Sequence, residues 1–182
     1  MTRVAVAEWQ RLDREGTDRC ELRQDTGGWR LSGRAEWADP EGPAAVDYDV
    51  RCDASWRSLG AEVSGLFAGR DIEVSIQSTP KGWNLNGAQT DCGLQCLDID
   101  LSFTPATNLI PTRRCGDAKS FGSMAVWLVP GLNDLQPLSQ TYAQKSPGEL
   151  VYSSRNFSAM LTVHRTGFVT SYSNLWKGEV HV

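Results

Sequence analysis

A chain of 182 residues with 40% hydrophobic and 22% charged residues is long enough for one good core, which fits a single domain over residues 1–182. Its net charge of -4 and the lack of a basic stripe exclude general nucleic-acid binding, which needs clustered cations to displace counterions. No apolar run approaches the ~20 residues of a membrane helix, and Met1 to Gln10 has no signal-peptide core, so a cytoplasmic protein without an integral membrane segment is expected.

Taken in order, the chain is a succession of short strand signals. Val4 to Trp9 opens, a charged turn follows around Arg14-Glu15-Gly16, and Cys20 to Gln24 alternates. Asp25-Thr26-Gly27-Gly28 turns the chain into Gly28 to Gly33, with Trp29 and Leu31 on one face. After the loop-like stretch Asp39 to Pro43, Val46, Tyr48 and Val50 alternate with Asp47, Asp49 and Arg51. Residues 57–67 and 70–77 read as a hairpin joined at Ala68-Gly69. Pro80-Lys81-Gly82 then leads into a second copy of an earlier pattern. Gly28-Trp29-x-Leu31-x-Gly33 and Gly82-Trp83-x-Leu85-x-Gly87 are both G-W-x-L-x-G, each followed by an acidic alternating strand. A rolled sheet passing one station twice would give this repeat.

The densest polar chemistry lies in residues 96–114. Leu97, Ile99, Leu101 and Phe103 point one way, and Asp98, Asp100, Ser102 and Thr104 the other. Pro105 stops regular pairing, and a single helical turn is expected near Ala106 to Ile110 before Arg113 and Arg114. Further on, Met124 to Pro130 reads as a strand buried on both faces. Leu138 to Gln144, Leu150 to Ser153, the alternating Phe157 to Val163, and Phe168 to Tyr172 follow, and the tail carries Trp176. Roughly a dozen strands with turns about every 8–12 residues, 17 glycines and 7 tryptophans predict an all-β fold with little helix.

The chemistry of these residues leaves several readings open. Asp98 and Asp100 would have Cα atoms ~6.6 Å apart, a separation glycosidase carboxylates also span. Neighbours on one strand face project side by side, however, instead of flanking a bond. Arg113 and Arg114 can pair with these aspartates in fork geometry or hold a phosphate or carboxylate headgroup. Asn108 can cap its own turn. Trp29 and Trp83 fit a core better than a ligand platform. Cys20, Cys52, Cys92, Cys96 and Cys115 are odd in number and scattered, so free thiols are expected and no metal. No cofactor is expected either, since Gly60-x-x-x-x-Gly65 lacks the Lys-Ser or Lys-Thr of a phosphate loop.

The run C-x-D-I-D-L-x-x-T-P-x-T-N-x-x-P-x-R-R, residues 96–114, resembles the signature of a bacterial family named "putative glycolipid-binding proteins". Trp9-x-x-Leu12-Asp13, both G-W-x-L-x-G segments, Tyr48-x-Val50-x-x-Asp53-x-x-Trp56, Trp127-x-x-Pro130, Gln140-x-Tyr142 and Gly167-Phe168-Val169-x-x-Tyr172 agree with it. His164-Arg165 departs from the pattern, where an acidic turn residue is expected. The resemblance implies one curled antiparallel sheet, a roll or half-closed barrel like the lipoprotein-localisation carriers, around an apolar cavity. It implies a lipid or glycolipid ligand with its acyl chain in the cavity and its headgroup at a polar rim. Asp98, Asp100, Asn108, Arg113, Arg114, Trp83 and Tyr172 form the candidate ligand-binding set, and no catalytic set is implied. The alternatives are a sugar-active hydrolase or isomerase using Asp98 or Asp100, and an interaction domain with a filled core.

Overall fold

The computed structural model describes residues 1–182. Strands β1 (Thr2–Arg11), β2 (Gly16–Gln24), β3 (Gly28–Asp39), β4 (Gly42–Asp53), β5 (Ser58–Phe67) and β6 (Arg70–Thr79) form long successive hairpins. The short strands β7 (Gly82–Leu85), β8 (Ala88–Gln89) and β9 (Asp98–Leu101) follow, then a 3-10 turn (Ala106–Asn108) and helix α1 (Leu109–Cys115). The second half is β10 (Ser120–Leu128), β11 (Leu135–Ser146), β12 (Glu149–Ser154), β13 (Phe157–Val163), β14 (Val169–Tyr172) and β15 (Trp176–His181). Every strand named in the sequence reading is present, and the single expected helical turn extends through Arg113 and Arg114.

All 15 strands belong to one sheet, ordered β8-β7-β6-β5-β4-β3-β2-β1-β15-β14-β13-β12-β11-β10-β9. Hairpin neighbours pair antiparallel, and β1 pairs with β15 to join the two halves. One ladder is parallel: β9 lies beside β10, reached through the 3-10 turn and α1, because a parallel partner needs a long crossover. The order is linear and ends in two edges, β8 and β9, with no ladder between them. The expected β-roll or half-closed β-barrel around an apolar cavity is therefore not formed. The apolar side chains instead pack against one another in a cluster of 40 buried residues. Large aromatics fill it: Trp37 stacks on Phe103 at 5.3 Å, and Tyr48 meets the same ring edge-on at 5.7 Å.

Strand alternation explains which residues enter this core. Val46, Tyr48 and Val50 are all buried on β4, while Asp47 is exposed. The two G-W-x-L-x-G copies do not occupy equivalent stations. β3 pairs directly with the acidic strand β4, whereas β7 pairs with β6 and β8 and never with β9. What the copies share is a glycine pressed under a carbonyl. A Cβ on Gly28 would lie 2.1 Å from Cys52 O, and one on Gly82 would lie 2.5 Å from Cys92 O. Gly28→Ala is thus expected to force the β3–β4 ladder apart and cost ~1–3 kcal/mol. A lower urea midpoint at unchanged slope would show it; a change within about 0.5 kcal/mol would mean that the backbone relaxes freely.

Candidate functional site

The segment from Asp98 to Arg114 is held in place from both sides. Past the end of β9 and just before Pro105, Thr104 donates to the Asp18 carboxylate on β2 while accepting the Ala106 N–H at 3.0 Å. Tyr48 on β4 donates to Asp18 at 3.0 Å. Pro111 falls in the first turn of α1, where its missing N–H has no intrahelical acceptor to lose. Arg113 and Arg114 occupy the last turn, where cations suit the unpaired carbonyls.

The polar face of β9 is not solvated. Asp98 is 1% exposed and accepts both Arg114 Nε at 3.0 Å and Nη2 at 2.7 Å, with Ser123 Oγ as a third donor. Asp100 is half-buried and accepts Gln140 Nε2 at 2.6 Å; burial pushes its carboxyl up to about 6. Gln140 also donates to Tyr152 Oη at 3.1 Å and accepts Tyr142 Oη at 3.4 Å. Asn108 donates to Tyr142 Oη at 3.1 Å and makes no capping bond. Tyr172 packs on Tyr152 with ring centroids 5.9 Å apart, and burial raises the pKa of all three tyrosines. Of the pairings between two aspartates and two arginines that the sequence allows, one forms. Arg114 serves Asp98, Asp100 joins a neutral Gln–Tyr network, and Arg113 joins neither.

Trp83 is 2% exposed, and its indole N–H donates to Cys96 O at 3.0 Å, so its surface is fully engaged within the fold. Trp29 stacks on Trp56 at 4.4 Å. The Arg113 guanidinium carbon lies 6.0 Å and 5.6 Å from these two ring centroids. The contact is a cation–π one, and no carboxylate lies within 4.0 Å of this guanidinium. The five cysteines are free thiols, four of them buried.

Arg113 instead borders a groove of about 470 Å³ at the C-terminal end of α1. Its floor carries Phe121, Leu150 and Val163, and its rim carries Arg113, Lys119, His164 and Arg165 with Asp117 as its one carboxylate. Residues from α1, the start of β10, the β11–β12 hairpin and the β13–β14 turn thus meet here. The His164 Nδ1 accepts the Thr166 N–H at 3.3 Å and lies 2.9 Å from the Thr166 hydroxyl. Sequence reading found Arg113 and missed Lys119, Leu150 and Val163 as site residues. His164-Arg165 stood out in the sequence only as a departure from the family pattern.

An open, largely antiparallel sheet with a filled core and an amphipathic surface groove defines an all-β protein class with the features of a binding module. The chain belongs to the family described as "Putative glycolipid-binding", which matches residues 6–178. It is also similar to a crystal structure of a DUF1089 family protein from Pseudomonas aeruginosa. The TM-score is 0.74 at 25% identity, over 89% of this chain and 91% of that one. No curated protein matches the chain. No helix is long and apolar enough to cross a membrane.

Proposed function

We propose that this protein binds a glycolipid at its surface, in the groove beside α1, rather than enclosing an acyl chain. The observation that carries this reading is the convergence of Phe121, Leu150 and Val163 with a polar rim, while the interior is occupied by its own side chains. A groove of about 470 Å³ falls within the range of small-molecule sites. The sugar sits among the rim residues, and the first carbons of the tail lie on the apolar floor. Family membership supports the ligand class. The hydrolase alternative loses one of its carboxylates, because Asp98 is enclosed and paired with Arg114, and two-carboxylate chemistry needs both. The interaction-domain alternative gains from the filled core, and one experiment separates it from lipid binding. Phosphatidylcholine vesicles containing galactosylceramide should co-sediment with the protein. Leu150→Asp should weaken that binding by about tenfold or more, the equivalent of losing one buried leucine contact, with its urea midpoint monitored in parallel. Co-sedimentation indifferent to Leu150→Asp, or no co-sedimentation at all, would leave the interaction domain as the better reading.

A further inference from the structure

We infer that the groove selects an anionic headgroup, a phosphate or sulfate ester carried on the ligand's sugar, through Arg113, Lys119 and Arg165. The inference rests on the glycolipid reading and adds the charge of the ligand to it.

The contrast within the molecule is informative. Of the six arginines on β1 to β3, Arg11, Arg19, Arg23, Arg30 and Arg34 have a carboxylate within 4.0 Å and Arg3 has none. Arg114, next to Arg113 in sequence, is bound on two prongs by Asp98. Arg113, Lys119 and Arg165 have no such partner, although all three border one groove and Asp117 lines it with them. Other cations of this chain of net charge -4 also lack a carboxylate partner; what sets these three apart is that they border one concavity from separate segments of the chain. Like charges brought together around a concavity repel one another, and an oxyanion among them relieves that repulsion. Guanidinium groups suit this task, because their planar fork matches two oxygens of a phosphate or sulfate.

Gly167 shows how Arg113 is directed there. Its φ of +97° lies in the region that favours glycine, and a Cβ on it would come within 2.8 Å of Arg113 Cδ. The Arg113 side chain passes over Gly167 to reach the rim, so Gly167 is a positioning residue. The apolar floor beside the cations separates this arrangement from a plain surface patch, since a free inorganic anion has no use for Phe121, Leu150 and Val163.

The test uses two matched vesicle sets, phosphatidylcholine with galactosylceramide and phosphatidylcholine with its sulfated counterpart, at physiological ionic strength. Sulfated vesicles should bind about tenfold more tightly, the scale of one charge-assisted hydrogen bond. Arg113→Gln and Arg165→Gln should each bring the ratio of sulfated to neutral binding down to about one, whatever either does to the neutral set. Gly167→Ala should weaken the preference, as the displaced Arg113 requires. Arg70→Gln, an exposed and unpaired cation on the β5–β6 hairpin, should change nothing. Equal binding to both vesicle sets, or equal losses in Arg70→Gln and Arg113→Gln, would overturn the inference and leave the glycolipid reading standing. A soluble arm follows galactose 6-sulfate binding by NMR. Binding there without binding to either vesicle set would keep the anion site and overturn the lipid source. Absence of binding in every arm would remove both.

Discussion

Replacing Arg114 with methionine is expected to destabilise the fold by about 3–5 kcal/mol, the cost of leaving a buried carboxylate without its cation. The unfolding temperature should fall on the order of 10 °C for a chain of this size. The carboxylate in question is Asp98, 1% exposed, whose two oxygens accept Arg114 Nε and Nη2 and which would keep only the Ser123 hydroxyl. The reverse change, Asp98→Asn, should cost less. Arg114 is 17% exposed along its side chain and can reach water, while an asparagine still accepts one of its hydrogen bonds. The double variant should cost clearly less than the sum of the singles, because the pair is one interaction counted twice. Additive costs in urea unfolding would show that Asp98 and Arg114 contribute independently, and the ion pair would then not be what anchors α1 to β9.

That pair also marks where reading the sequence succeeds and where it stops. Alternation locates β4, β6 and β13 and assigns Val46, Tyr48 and Val50 to the core, because a strand period is a local property. The Ala68-Gly69 hairpin is equally local: both residues have positive φ, as a tight turn between twisted strands demands. Alternation also puts Asp98 and Asp100 on the face opposite Ile99 and Leu101. It cannot report what covers that second face. Ser123 of β10 and Gln140 of β11 cover it, and they arrive through a parallel ladder and a hairpin well downstream. The choice of Asp98 over Asp100 as the arginine's partner is therefore tertiary information. Closure of the sheet is the same kind of property, fixed by which strands meet last, and the repeated G-W-x-L-x-G pattern and the family resemblance suggested a roll that the pairing order does not form. The groove was illegible for a related reason. Lys119, Leu150 and Arg165 stand far apart in the chain, on elements whose ends the sheet gathers at one corner.

The second large effect expected is a loss of stability with rising pH, centred on Asp18. This residue is 2% exposed, and burial pushes its carboxyl up to about 7 from an ordinary 3.8, against the lowering influence of the Thr104, Tyr48 and Arg19 hydrogen bonds. Its titratable neighbours Cys20 and Tyr48 are themselves pushed up by burial and stay neutral, and a thiol or phenol ionises only to an anion, so no countercharge comes from either. A native pKa above the unfolded one means that the folded chain holds the proton more tightly. The stabilisation is complete below about pH 4 and is lost as pH rises through about 7. Asp100, pushed up to about 6, acts with the same sign over the lower part of that window. Glu21, held down first by Arg23, has the opposite sign: its stabilisation is present above its ordinary 4.5 and fades only as pH falls below it. Raising the Asp18 carboxyl from 3.8 to about 7 corresponds to roughly 4 kcal/mol. Urea midpoints should accordingly drop between pH 5 and pH 8, and Asp18→Asn should flatten that slope and raise stability at pH 8. An asparagine there can still bond Thr104 and Tyr48, so the contact that ties the end of β9 to β2 survives without a charge to bury. A pH slope unchanged in Asp18→Asn would assign the effect to other groups, and Asp100→Asn measured beside it would show whether the second buried carboxyl carries it.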